Sequence, residues 1–245
     1  HVKIEYTPST RLAAVTINGV SVYSQTLSTS LSILYAGFHF YRTPEGGGKL
    51  DNFQVSVQDS TVISDSFSGS GAVNGRAAEA GGVTWAAQPG AVVSGGRVLD
   101  GAAIAGVPFN PGLLPGSPTV AVTADVDPAS SDWVGIGFAN QATGPYWSTG
   151  QIWALVRGTG GFTVFALGTS VSGNIPGSPV NGLHRIKIQY STPNRQATIW
   201  INGAQVFSQA LATAPDIRYA GFHMYVAAEG GGKVDNFEVS STTKP

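Results

Sequence analysis

The chain is expected to fold as an all-β sandwich. Three observations carry this. Short runs alternate apolar and polar residues with period two, Asn-Gly pairs sit between such runs, and no segment of helical length shows a 3.6-residue period. Val120, Val122, Ala124 and Val126 alternate with polar or small residues and share one strand face. Ile186, Ile188 and Tyr190 do the same in the next clear strand. Ala197–Ile201 and Ala204–Ser208 flank Asn202-Gly203, a hairpin signal because a type I′ turn needs positive φ at both central residues. Further strands are expected at 83–87, 97–105, 133–138, 151–157, 162–167, 217–225 and 233–240. Many strands joined by short turns without helices argue a two-sheet sandwich.

The chain also repeats itself. Lys3-Ile4-Glu5-Tyr6 returns as Lys187-Ile188-Gln189-Tyr190, and Ile17-Asn18-Gly19 as Ile201-Asn202-Gly203. Tyr35 to His39 returns as Tyr219 to His223, and Asp51-Asn52-Phe53 as Asp235-Asn236-Phe237. Every pair is 184 residues apart (3 to 187, 35 to 219, 51 to 235), so no insertion separates the copies. A fixed period marks a tandem array, and this one has the size of a domain. Residues 61–245 are therefore expected to form a complete unit. Residues 1–60 are expected to be the C-terminal part of a preceding or permuted one, with the junction at 58–64.

Composition narrows the function. Only 11% of the 245 residues are charged and the formal net charge is −1, so no basic patch suggests nucleic acid as a partner. There is no cysteine, hence no disulfide framework, thiol nucleophile or Cys-ligated zinc. No apolar run approaches the ~20 residues of a membrane span. Low charge with 33 glycines and abundant Ser and Thr suits an extracellular or cell-surface protein. The chain opens in mid-repeat, so a targeting segment is expected further upstream if there is one.

Several features together resemble a known family. A unit opening Asp65-Ser66-Phe67 continues with Asn74-Gly75-Arg76 and Gly82-Val83-Thr84-Trp85. It later carries His184 to Tyr190 and the Trp200-Ile201-Asn202-Gly203 hairpin, and closes Val234-Asp235-Asn236-Phe237. This pattern resembles the laminin-G-like, concanavalin A-like domains of bacterial surface proteins, here as a tandem repeat. The resemblance covers nearly all of 61–240. It implies a two-sheet jelly roll whose first and last strands lie side by side. Members bind glycans, bind proteins or act as spacers, so the fold alone decides little.

Candidate chemistry is sparse. Laminarinase-type glucanases share this fold and carry paired carboxylates on one strand, since retaining hydrolysis needs a nucleophile and an acid about 5 Å apart. Glu79, Glu229 and Glu238 are each isolated in the sequence, and no Gly-x-Ser-x-Gly elbow is present. No catalytic residue is assigned. Asp125, Asp127 and Asp132 crowd one strand-to-loop segment and are the candidate ligands for a structural calcium, with Asp65 near Asp235 and Asn236 if the terminal strands pair. The alternative is that these side chains serve local turn hydrogen bonds.

Aromatic residues are the stronger signal. Tyr146 and Trp147 fall inside the turn-rich Gly144–Gly150 segment, and Trp133 follows another loop. A loop-borne ring can stack on the apolar face of a sugar. In 219–225, Ala220, Phe222 and Met224 read as the core face, leaving Tyr219, His223 and Tyr225 as a stripe on the other. These six aromatic and His positions are the candidate glycan-binding residues. Trp85, Trp153 and Trp200 lie in strand-like runs and are expected in the core.

The partial copy argues assembly. Ile4, Ile17, Phe38, Phe40 and Phe53 match core positions of the complete copy, and sixty residues of amphipathic strand cannot bury them alone. A neighbouring chain, an adjoining repeat or a permuted closure with 61–184 could cover them. All three are head-to-tail contacts, and such a contact builds a filament when it does not close. The expected function is thus a non-enzymatic repeat unit of an extracellular filament or adhesin stalk, with self as partner. The alternative is a carbohydrate-binding module using the loop aromatics.

Overall fold

The computed structural model describes residues 1–7, 12–28, 37, 60–99, 103–109, 119–129, 133–177, 182–225 and 232–242. The chain divides into two compact units, Thr61–Ser241 and His1–Ser60 with Thr242–Pro245. Strands dominate both. In the smaller unit, β1 (Val2–Thr7), β2 (Leu12–Ile17) and β3 (Val20–Thr26) form an antiparallel meander. The larger unit begins with β4 (Ser60–Asp65), β5 (Gly71–Ala72), β6 (Ala86–Ala87), β7 (Val92–Ser94), β8 (Arg97–Leu99) and β9 (Ala103–Pro108). It continues with β10 (Thr119–Asp127), β11 (Trp133–Ala139), a one-turn helix α1 (Tyr146–Thr149), β12 (Gly150–Arg157), β13 (Gly161–Ala166) and β14 (Thr169–Asn174). It ends with β15 (His184–Ser191), β16 (Gln196–Ile201), β17 (Ala204–Ala210), β18 (Tyr219–Tyr225) and β19 (Lys233–Thr242).

Two sheets make the larger unit. One runs β17-β16-β15-β10-β19-β8-β7-β5, with β4 paired to β19, so the first and last strands of the unit are neighbours. The other runs β14-β13-β12-β11-β18-β9-β6. Their facing side chains form one core. Val120, Val122, Ala124, Val126, Ile186, Ile188 and Tyr190 come from the first sheet, and Val134, Ile136, Phe138, Ala220, Phe222 and Met224 from the second. The period-two alternation therefore assigned these faces correctly. Asn202 (φ 52) and Gly203 (φ 79) adopt the positive-φ pair of a type I′ turn, as do Asn18 (φ 50) and Gly19 (φ 81).

Three details depart from expectation. The 97–105 run is two strands, β8 and β9, on different sheets. Strand β14, Thr-Ser-Val-Ser-Gly-Asn, lacks apolar alternation because it is an edge strand exposed along most of its length. Trp200 is half-buried rather than in the core. It lies on the outward face of the first sheet with the Lys187 ammonium 5.7 Å from its ring centroid.

The start of the larger unit is held by ionic and polar contacts. The Asp65 carboxylate is fully buried. It accepts hydrogen bonds from the Phe67 backbone N–H (2.7 Å) and Trp85 Nε1 (2.8 Å), and pairs with Arg76 Nε at 3.3 Å. Phe67 takes φ 51, strained for a bulky residue. That geometry drops its ring into the core beside Trp85 (5.4 Å) and Phe222 (6.2 Å). Glu79 joins this knot from its exposed side, 3.7 Å from Arg76, and accepts from the backbone and hydroxyl groups of Ser66 and Ser68, led by the Ser68 hydroxyl, which lowers its pKa to about 2.

Candidate functional site

The seven-stranded sheet has a second face, turned away from the core. The register sets its rows. Gly137 of β11, Gly221 of β18 and Gly106 of β9 lie side by side across three adjacent strands. A Cβ on Gly221 would fall on the Ala105 carbonyl, and one on Gly106 would lie 3.0 Å from the Ala142 carbonyl oxygen. The glycine row carries no side chains and so leaves a trough, and the segment after β11 folds back against it at Gly106. Gln88 Nε2 donates to the Thr143 carbonyl (2.8 Å), and the Thr149 hydroxyl donates to the Gly144 carbonyl (2.8 Å). The first bond ties the segment to the chain just after β6, and the second closes the turn that carries α1.

The helix splits the two loop aromatics. Tyr146 turns inward and is buried against Trp153, ring centroids 5.7 Å apart. Burial pushes its phenol pKa above the ordinary range. Trp147 turns outward and stays 67% exposed. Its ring lies 4.9 Å from that of His223. His223 is itself buried, and the Tyr146 backbone N–H donates to its Nδ1 (3.1 Å). An accepting Nδ1 fixes the proton on Nε2, so the ring is neutral. Desolvation lowers its pKa to about 4, in keeping with that tautomer.

Further rings extend the patch. Trp133 packs edge-on against His223 (4.7 Å) and parallel to Tyr225 (6.3 Å, 16°). Behind them Trp153 stacks on Phe165 at 4.3 Å. Tyr225 is 49% exposed and Trp133 half-buried. Trp147, Trp133 and Tyr225 therefore present aromatic surface on a rigid sheet, and the buried Tyr146, His223 and Trp153 support it. Tyr219 shares this face, half-buried, opposite Ala139 and Pro108.

The structure therefore corrects part of the sequence reading. Tyr146 and His223 do not offer free rings, because α1 folds against the sheet and both are buried. Trp153 is buried as expected, but beneath the aromatic patch rather than between the sheets. Sequence spacing placed Tyr219, His223 and Tyr225 on one face correctly. The three adjacent glycines were the missed signal, since only the strand pairing brings them together.

The acidic candidates are spoken for. Asp125 pairs with Arg185 (3.0 Å) and accepts from Asn236 Nδ2 (2.8 Å). Asp127 faces Lys233 at 3.7 Å and accepts from the Ala129 backbone N–H (3.2 Å). Asp132 and Glu229 lie outside the described residues. Among the described residues no three His, Asp or Glu side chains gather as a metal site. No helix among them is long and apolar enough to cross a membrane.

Solved structures share this architecture. The carbohydrate recognition domain of Emp47p superimposes with a TM-score of 0.51 at 10% identity, over 76% of this chain and 97% of that one. The fold is a concanavalin A-like jelly roll. Galectin LEC-6 of Caenorhabditis elegans is also similar, with a TM-score of 0.39 and 14% identity over 59% of this chain and 95% of its own. So is a Trypanosoma rangeli sialidase, with a TM-score of 0.49 and 14% identity over 74% of this chain but only 30% of that enzyme. No protein-family model matches the chain, and no curated protein matches it. The concanavalin A-like jelly roll thus rests on strand arrangement, with sequence identity far too low to carry function.

Proposed function

We propose that the chain is an extracellular carbohydrate-binding module whose contact surface is the aromatic patch of the seven-stranded sheet. The observation that carries this is the exposed Trp147 beside the Trp133–Tyr225 stack, all held by packed groups beneath. Flat rings bind the apolar faces of sugars with little loss of side-chain freedom. The described carboxylates speak for binding without turnover. Glu79 is held ionised by serine donors, and Asp125 and Asp127 each face a cation, so these three are engaged in structural contacts rather than set as a nucleophile and acid pair.

Trp147→Ala and Tyr225→Ala should each weaken binding on a glycan array and by calorimetry about tenfold or more, because exposed anchor rings dominate such contacts. Both rings are largely solvated, so thermal stability should hardly change. Retained affinity in the double variant would remove this patch from consideration.

A second reading, head-to-tail assembly, is supported by one specific observation. β1–β3 duplicate β15–β17 in register. Ile4 pairs with Val15 as Ile188 does with Ile199, and the bulge after Val15 recurs after Ile199. The Asn18 N–H bonds to the His1 carbonyl as that of Asn202 does to Arg185, both at 2.8 Å. Yet Ile186, Ile188 and Ile201 are fully buried, while Val2, Ile4 and Ile17 are 62%, 76% and 44% exposed. Phe38, Phe40 and Phe53, the other expected interface residues, lie outside the described residues. In the larger unit β10 takes the far edge of β15. The same edge of β1 would accept the 61–184 part of another copy, exchanged between protomers. Sedimentation should then show concentration-dependent association, lost in Ile4→Asp. A chain that stays monomeric at high concentration would rule this out.

A further inference from the structure

Resting on the carbohydrate-binding reading, we infer that the aromatic patch selects acidic sugars, its Arg157 receiving the carboxylate of a uronic acid unit. The seven strands of the site-bearing sheet contain one charged side chain of the Asp, Glu, Lys and Arg types, and it is Arg157. His223 is neutral there. By contrast, Arg76, Arg97, Arg185, Arg218 and Lys233 of the larger unit each meet a carboxylate. Among the described residues none lies within ion-pair distance of Arg157.

Its position is built. In the register Arg157 of β12 stands opposite Trp133 of β11, which stands opposite Tyr225 of β18. The cation and the stacked pair therefore share one row on the outer face. Neighbouring strands lie about 4.8 Å apart. A glycan stacked over Trp133 and Tyr225 and running on across β12 thus brings the carboxylate of a neighbouring unit to the guanidinium, which the Thr163 bond holds on the β13 side of Arg157. Arg157 Nη1 donates to the Thr163 hydroxyl (2.8 Å), which meets the Ser172 hydroxyl at 2.9 Å. This relay steers the side chain across the sheet and uses one of five N–H donors. The others suit a carboxylate's two oxygens, the geometry in which arginine exceeds lysine. Arg157 is half-buried, and the reduced solvent screening strengthens its attraction for an anion.

The test uses the full chain and hexamers of galacturonate, glucuronate and mannuronate, each beside its carboxyl-reduced neutral counterpart, titrated by calorimetry at pH 7. At least one uronate hexamer should bind tenfold or more tightly than its neutral partner. Arg157→Gln should bring that uronate down to the neutral level and leave the neutral affinity unchanged, with Arg157→Lys in between. Trp147→Ala should weaken both alike. Equal binding of every uronate and its neutral partner by the wild-type chain would overturn the inference and leave the carbohydrate reading standing. So would an Arg157→Gln variant that loses affinity for both forms equally, since that is a structural role. Binding of no hexamer would overturn both.

Discussion

Replacing Asp65 with alanine should lower the unfolding free energy by about 3–5 kcal/mol, the range for breaking a buried ion pair by removing one partner. Three donors depend on this carboxylate: the Phe67 N–H, Trp85 Nε1 and the Arg76 guanidinium. Arg76 is only 17% exposed, and its remaining carboxylate partner, Glu79, lies farther off at 3.7 Å. The consequence reaches the core. Asp65 holds Phe67 in its left-handed backbone conformation, and the Phe67 and Trp85 rings pack with Phe222 and Phe237. Urea denaturation followed by tryptophan fluorescence measures the loss. Glu79→Gln is the control. It removes a neighbouring carboxylate that is more exposed and lies outside the core, and should cost much less. Equal effects of the two substitutions would mean that the buried pair has no special weight.

How much of this was legible in the sequence follows from what period two encodes. Alternation tells which side chains share a face. It placed Val120, Ile188 and Phe222 toward the core, and grouped Tyr219, His223 and Tyr225 opposite. It does not tell what covers a face. Whether His223 is open or buried depends on a segment starting after β11, and that segment lies against the row in which Gly106, Gly137 and Gly221 adjoin, meeting it at Gly106. These glycines are far apart in sequence, so no local window reveals the trough. Within α1, Tyr146 and Trp147 are equivalent by composition, and the helical turn alone sends one inward and the other outward. Asp65 read as a turn residue or calcium ligand for the same reason: its partners Arg76 and Trp85 are joined to it through strand pairing. Arg157 drew no notice as one cation among thirteen Lys and Arg, and that no described carboxylate pairs with it appears only on the assembled sheet.

Stability should also fall as the solution is acidified from pH 7 toward pH 4, with His223 the main source. In the unfolded chain this imidazole protonates near 6.5, whereas in the fold desolvation lowers its pKa to about 4. Between those values the unfolded state binds more protons, so unfolding becomes more favourable as pH falls. The contribution is complete above about 6.5, is lost progressively down to about 4, and is constant below. A shift of that size corresponds to about 3 kcal/mol. His184, also buried and lowered by desolvation against the opposing charge of Asp127, adds in the same direction. Glu79 acts in a lower window: its support is present above 4.5 and is lost as pH falls through about 2. The local result is specific. A proton on His223 Nδ1 replaces an acceptor with a donor facing the Tyr146 N–H, so α1 loses one of its ties to the sheet. Trp147, resting on the same imidazole, loses its support. Trp147 emission and sugar affinity should therefore change together near pH 4, before global unfolding. His223→Gln keeps an acceptor for Tyr146 but cannot titrate. Urea midpoints of that variant should vary much less between pH 7 and pH 4 than those of the wild type. An unchanged slope would mean that other groups carry the acid sensitivity and that His223 does not gate the patch.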